Sequence, residues 1–205
     1  STLFPYTTLF RSGRRVEEFG VATVAEGLQL RNAGFSEPIT VLGACPETAV
    51  DSIVEQNLSP LLCSVPMASA LSKTASERNK TVRTFLAIDT GMTRLGLDPH
   101  DSSFIQDVKR LLSFPSMQIR GLFTHFATAD ETDLTFLHHQ THIMDQTLHR
   151  LSLDGIHFPE CCMANSAAIM IAPETWHTMV RPGIILYGCY PSAQMNRRPD
   201  RKSVV

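Results

Sequence analysis

Short apolar runs of β character alternate with helix-patterned stretches along this chain, at spacings of roughly 20 to 35 residues. No other feature restricts the fold as much. Strands separated by helices cannot close as hairpins; each crosses over to a parallel neighbour. Phe19 to Ala22 (FGVA) reads as a short buried strand, and Thr23-Val24-Ala25-Glu26 after it is a capping-box pattern. That helix runs to Ala33 and stops at Gly34. Ile39 to Gly43 (ITVLG) is the next strand. Pro46 then suits a first helical position, and Ala49, Val50, Ile53 and Val54 share one helical face.

The unit repeats. Leu61 to Val65 reads as a strand before a helix from Pro66 to Ala75, and Val82 to Ile88 (VRTFLAI) as a strand ending in DTGMTRLG. Phe104, Ile105, Val108, Leu111 and Leu112 form an amphipathic helix closed by Pro115. Ile119 to Thr124 is a strand followed by a long helix from about Asp133 to Leu151. A weaker strand near Glu160 to Met163 leads into ANSAA, and a last one near Met179 to Val180 runs into RPGIILYG.

An open doubly wound sheet would satisfy the alternation alone. The polar and glycine-containing motifs, however, follow four successive strands at their C-terminal ends, where (β/α)8 enzymes keep their chemistry. The expected fold is therefore α/β: an incomplete TIM-type (β/α)8 barrel, about seven of eight units, with the first strand missing. The length of 205 residues agrees, since a complete barrel takes roughly 250.

Composition narrows the function. Apolar residues at 43% with 19% charged describe a globular chain and exclude disorder throughout. Eighteen Lys and Arg against 20 Asp and Glu, without a basic run, leave no nucleic-acid footprint. No apolar run approaches the ~18 residues of a membrane span. Five cysteines without a CxxC pair point to reduced thiols in a cytoplasmic protein, and adjacent Cys161 and Cys162 to half-buried barrel positions. His138 and His142 share a helix face, but with no third ligand nearby they read as a solvated face and no metal is expected.

The ends differ from the rest. STLFPYTTLFRS shows neither helical nor alternating period. Thr2 to Ser12 resembles the conceptual translation of a short-read sequencing adapter, and Asp200 to Val205 (DRKSVV) resembles the same adapter read from the opposite strand. Residues 1–12 and 200–205 are therefore expected to be non-native and are set aside from the fold. Residues 13–199 are expected to be the natural barrel domain.

Four loops carry the chemistry: Asp89 to Gly96, Thr124 to Ala127, Ala164 to Ala168, and Val180 to Ile184. Taken singly, Gly91 and Gly96 are turn residues, Arg94 and Arg181 surface charges, and Ser166 a helix cap. Together they put Arg94, His125, Ser166 with Asn165, Arg181 and the Gly183 backbone on one rim. Ser166 opening a helix offers a hydroxyl and N–H groups to an anion. Loops after the last strands of a barrel commonly hold a phosphate. The generic expectation is a phosphorylated ligand.

The runs FGVATVAEGLQLR, IDTGMTRLG, GLFTHFATADE, ANSAA and VRPGIILYG also resemble, in order, the motifs of pyridoxal-phosphate-dependent alanine racemases. The resemblance implies an isomerase with a pyridoxal 5'-phosphate barrel, a β-rich C-terminal domain completing a homodimer, and interconversion of L- and D-alanine for peptidoglycan precursors. It implies that Arg181 faces the pyridine nitrogen, that Ser166, Gly183 and Ile184 bind the phosphate, with Asn165 in the same motif, and that His125 lies against the ring. Arg94 would approach the phenolic oxygen and the substrate carboxylate, with Met92 in the same loop.

Departures from the family accompany these matches. Ala87 stands where many relatives have a lysine, often carbamylated, that orients the arginine equivalent to Arg94. Cys162 stands where a histidine usually supports the arginine equivalent to Arg181, so Arg181 is expected to be less firmly placed. The family's Schiff-base lysine lies in a KADAYGHG-like motif upstream of FGVA, and its tyrosine base in the C-terminal domain; neither matches a residue here. Lys73, Lys80 and Lys109 fall in helix or loop regions, and Tyr187 and Tyr190 are not that tyrosine. The chain is therefore expected to be inactive. Two other readings stay open: a racemase for serine or another small amino acid, membrane-anchored if spans lie upstream, and a non-catalytic pyridoxal-phosphate-binding barrel.

Overall fold

The computed structural model describes residues 7–10 and 16–195. Seven strands form one sheet in the order of the chain: β1 (Thr7–Phe10), β2 (Val16–Val21), β3 (Ile39–Val41), β4 (Ser59–Leu62), β5 (Val82–Ala87), β6 (Met117–Phe123) and β7 (Glu160–Cys162). From β2 to β7 every pairing is parallel. Sequential order without a reversal is the winding of a barrel; a doubly wound sheet would change direction at a switch point. Curvature shows in a single contact. Glu18 on β2 meets Arg120 on β6 at 2.5 Å although three strands separate them in the sheet. The sheet is a curled half-barrel.

Among the described residues five helices provide the crossovers, α1 (Val24–Asn32), α2 (Val50–Glu55), α3 (Val65–Glu77), α4 (Phe104–Ser113) and α5 (Thr135–Leu153), and α6 (Ser166–Ile171) follows β7. The capping box forms as read: Thr23 accepts from the Glu26 N–H and Glu26 accepts from the Thr23 N–H. Gly34 follows the helix with φ +89°. Ser64, read as strand, instead caps α3 by accepting from the Met67 N–H, which shortens β4. Pro46 precedes a 3₁₀ turn, Glu47–Ala49, that leads into α2.

Strand alternation sorts the core into two layers. Val21, Ile39, Val41, Leu62, Leu86, Leu122 and Cys161 face the helices. Leu61, Phe85, Ala87, Phe123 and Cys162 face the barrel interior. Adjacent cysteines thus point to opposite faces of β7. Both are buried, at 5% and 1% exposure, not half-buried, because each face is covered.

One expected strand needs correction, and one further strand forms. Met179 and Val180 form no strand; one bridge joins Met179 to Cys162. The Thr178 hydroxyl takes the Cys161 N–H at 2.8 Å, a side chain competing with the ladder, and Pro182 has no N–H to extend it. Conversely, Thr7–Phe10, set aside as non-native, pairs antiparallel with β2, Thr7 opposite Gly20. The outer edge of β2 presents unpaired backbone groups that an extended segment satisfies whatever its side chains. Residues 200–205 lie outside the described residues.

Candidate functional site

The C-terminal ends of β5, β6 and β7 open on one mouth. The loop after β5 is shaped by its backbone. Asp89 Oδ1 accepts the N–H groups of Gly91 and Thr93 at 2.9 Å each, and Leu97 closes the loop by donating to the Ala87 carbonyl at 2.9 Å. Gly96 has φ +121°, and a Cβ there would lie 2.6 Å from the Asp89 nitrogen. Only glycine fits. The loop presents Met92 and Arg94 to a depression whose lining also includes Ala87, Phe123, Thr124 and His125. Arg94 is exposed and has no hydrogen-bond or ion-pair partner among the described residues.

Arg181 is the best-held group at the mouth, with 3% exposure. Its Nη2 donates to the carbonyls of Thr124 and Met163 at 2.9 and 2.8 Å, and its Nη1 to His125 Nδ1 at 3.0 Å. The Phe123 ring lies 4.4 Å below the guanidinium carbon. Opposite Cys162, two backbone carbonyls and the imidazole hold the guanidinium. Burial raises the Cys162 thiol, so it stays protonated beside the arginine. No carboxylate pairs with Arg181 among the described residues, and its Nε is buried without an acceptor.

Arginine can only donate, so His125 Nδ1 is an acceptor and the imidazole proton sits on Nε2. Burial, then the charges of Arg181 and Arg94, push the His125 pKa down to about 3. The ring is neutral at physiological pH, and the mouth carries a net positive field from the two arginines.

Asn165, not Ser166, caps α6: its Oδ1 accepts from the Ala168 N–H at 3.1 Å. Ser166 is released for a different contact. Its Oγ accepts from the Gly183 N–H at 2.8 Å, while its own proton has no acceptor among the described residues. Ile184 opens the 3₁₀ turn Ile184–Tyr187 and is 46% exposed. All seven residues singled out as cofactor contacts therefore gather on the same ends of the sheet.

The lysines lie elsewhere. Lys80 donates to the carbonyls of Val54 and Glu55, Lys109 pairs with Asp154 at 2.6 Å, and Lys73 belongs to α3. No described lysine reaches the mouth. No group of three or more metal-ligating side chains occurs among the described residues, and none of their helices is long and apolar enough to cross a membrane.

Gln140 escaped the sequence reading. On α5 it occupies the buried stripe of Leu137, Met144, Thr147 and Leu151, and it is 0% exposed. A polar residue on an apolar stripe was the available signal. The same holds for Glu18, Arg120 and Glu160, an ionic group inside the barrel.

Comparison with known proteins agrees with this geometry. The model of the alanine racemase N-terminal domain matches residues 8–191. An alanine racemase of Clostridium novyi (strain NT) is 38% identical over 190 residues, 93% of this chain and 48% of its own length. One from Methanococcus maripaludis is 38% identical over 181 residues, 88% of this chain and 48% of its own. The structure of alanine racemase from Clostridium difficile 630 in complex with cycloserine superposes with a TM-score of 0.85 and 33% identity, covering 89% of this chain and 50% of that one. A histidine racemase from Leuconostoc mesenteroides superposes at 0.78 with 26% identity over 88% of this chain and 48% of its own. The chain spans about half the length of the relatives it matches. With a sequentially wound half-barrel, a neutral histidine against a buried arginine and a family match over most of its length, this chain belongs to the alanine racemase family, in its N-terminal domain.

Proposed function

We propose that the protein this chain represents is a pyridoxal-phosphate-dependent alanine racemase, converting L-alanine to D-alanine for cell-wall precursors as a cytoplasmic homodimer, and that the 205-residue chain alone is inactive. The observation that carries the reading is Arg181: a buried guanidinium at the barrel mouth that, among the described residues, has no carboxylate partner and no oxygen or nitrogen acceptor for its Nε. Such a group suits a neutral aromatic nitrogen as acceptor.

The donor set fits the cofactor. The Ser166 hydroxyl still has a proton to give, beside the backbone of Gly183 and Ile184, where a phosphate would be held. Pyridoxal phosphate would supply the electron sink that lets the α-proton of an amino acid leave. Arg181, which keeps its own proton, would donate to the ring nitrogen and leave it unprotonated, which would moderate that sink. Neutral His125, fixed by Arg181, would offer an uncharged face to the ring. Arg94, with Met92 beside it, would orient the substrate carboxylate.

Racemisation needs a base on each side of the α-carbon. No described lysine reaches the mouth, and this supports inactivity of the chain as given. A serine or broader specificity is the second reading, and the histidine racemase among the structural relatives favours keeping it.

The chain is assayed with alanine and pyridoxal phosphate, and the full-length protein with L-alanine, L-serine and L-histidine. Expected are no racemisation above a buffer blank by the chain and alanine as the best substrate of the full-length protein. Racemisation by the chain overturns the first claim, and a preference for serine or histidine the second.

A further inference from the structure

Gln140 lies between the two loops that carry Arg94 and His125 and engages both. Its Oε1 accepts from the Ala127 N–H at 2.9 Å; its Nε2 donates to the His125 carbonyl and to Thr90 Oγ1, both at 3.0 Å. The orientation of the amide follows from its partners, because a backbone N–H only donates and a carbonyl only accepts. The Thr90 hydroxyl, already receiving a proton, is 2.8 Å from Thr124 Oγ1. The backbone of Thr124 in turn receives Arg181 Nη2, and the ring of His125 receives Nη1. Gln140 therefore bonds His125 directly and reaches Thr124 through Thr90, two of the three residues that hold the arginine.

We propose that Gln140 is a positioning residue: from α5 it sets the backbone of residues 125–127 and, through Thr90, the start of the Arg94 loop, so that His125 meets Arg181. The functional meaning rests on reading these residues as the cofactor cradle; the positioning itself does not. A packing role alone would not need this side chain, because an apolar residue of similar shape fills the same volume. Here the partners are backbone groups that stay buried and unsatisfied when the amide is removed.

The test uses the full chain with Gln140→Met, Thr90→Val and, as a structural control, Ser72→Ala, which removes a buried bond to the Pro115 carbonyl remote from the mouth. NMR of the His125 ring nitrogens reports tautomer and protonation, chemical denaturation reports stability, and absorbance reports uptake of added pyridoxal phosphate. In the parent chain and in Ser72→Ala the ring stays in the neutral Nε2–H form throughout the folded range. In Gln140→Met and Thr90→Val it begins to protonate at about pH 5 to 6, nearer the ordinary histidine range, and cofactor affinity falls about tenfold, the value of one lost hydrogen bond. Both variants losing stability while the His125 ring stays as in the parent would overturn the proposal. Should Gln140→Met not fold, the near-isosteric Thr90→Val decides. A parent chain that takes up no pyridoxal phosphate refutes the cradle reading, and the ring titration still decides the positioning.

Discussion

Arg181 Nη1 lies 3.0 Å from His125 Nδ1, and the pair carries one charge, not two. The imidazole is held near pKa 3 by burial first and by the two arginines second. An unfolded histidine titrates near 6.5. Between about pH 6.5 and 3 the unfolded chain therefore binds a proton that the folded chain refuses, and stability falls as pH falls through that window. The expected contribution is up to about 1.4 kcal/mol per pH unit. Urea denaturation at several pH values, with His125→Asn for comparison, checks it: the variant should lose less stability on acidification, and equal slopes would refute the assignment.

Arg181→Lys keeps the charge but not the fork. One ammonium cannot reach the Thr124 and Met163 carbonyls and His125 together, so at least one buried acceptor loses its donor. Stability should drop by about 1 to 3 kcal/mol. Affinity for pyridoxal phosphate should drop roughly ten- to hundredfold, the worth of one charge-assisted bond. Denaturation and cofactor absorbance on the same preparation read both, and an unchanged affinity would remove Arg181 from the cradle.

Much of this was legible in the residues. Alternation pointed to the parallel sheet, and polar motifs after successive strands favoured a barrel mouth over a doubly wound sheet, because both are local patterns. Less was legible where backbone geometry competes with side chains. The Thr178 hydroxyl displaced a ladder bond and reduced the Met179–Val180 strand to a bridge. Asn165 took the cap that Ser166 also suited. Gln140 and the interior ionic group join elements far apart in sequence, as Glu18 and Arg120 do over 102 residues. Single-residue pattern carries no such pairing.

Gly96→Ala separates two effects of glycine. At Gly96 a Cβ would meet the backbone of Asp89 and Ile88 at 2.6 and 2.7 Å, with φ +121° in addition. At Gly34, φ is +89° and nothing lies within 4 Å. Gly34→Ala should cost about 1 kcal/mol, and Gly96→Ala about 2 to 4 kcal/mol as strain and collision add. Denaturation midpoints decide; equal costs would mean the loop shifts freely and does not fix Arg94.

Glu18 and Arg120 close the curled sheet from inside, and their variants should behave unequally. The pair is 2.5 Å apart with 3% and 8% of the side chains exposed. Thr40 donates its hydroxyl to Glu18, Glu160 lies 3.9 Å from Arg120, and the Phe85 ring supports the guanidinium at 4.4 Å. Arg120→Met leaves two carboxylates without their cation in the barrel interior, and such a broken pair costs about 3 to 5 kcal/mol. Glu18→Gln retains an oxygen acceptor for Thr40 or Arg120 and leaves Glu160 as counter-ion, so its loss should be smaller. Combining the two removes the uncompensated charge at position 18 and should recover part of what Arg120→Met loses, since contacting residues are not additive. A double-mutant cycle by urea denaturation measures this coupling. Strict additivity would mean that the two strands are held by packing alone, with no clasp across the interior.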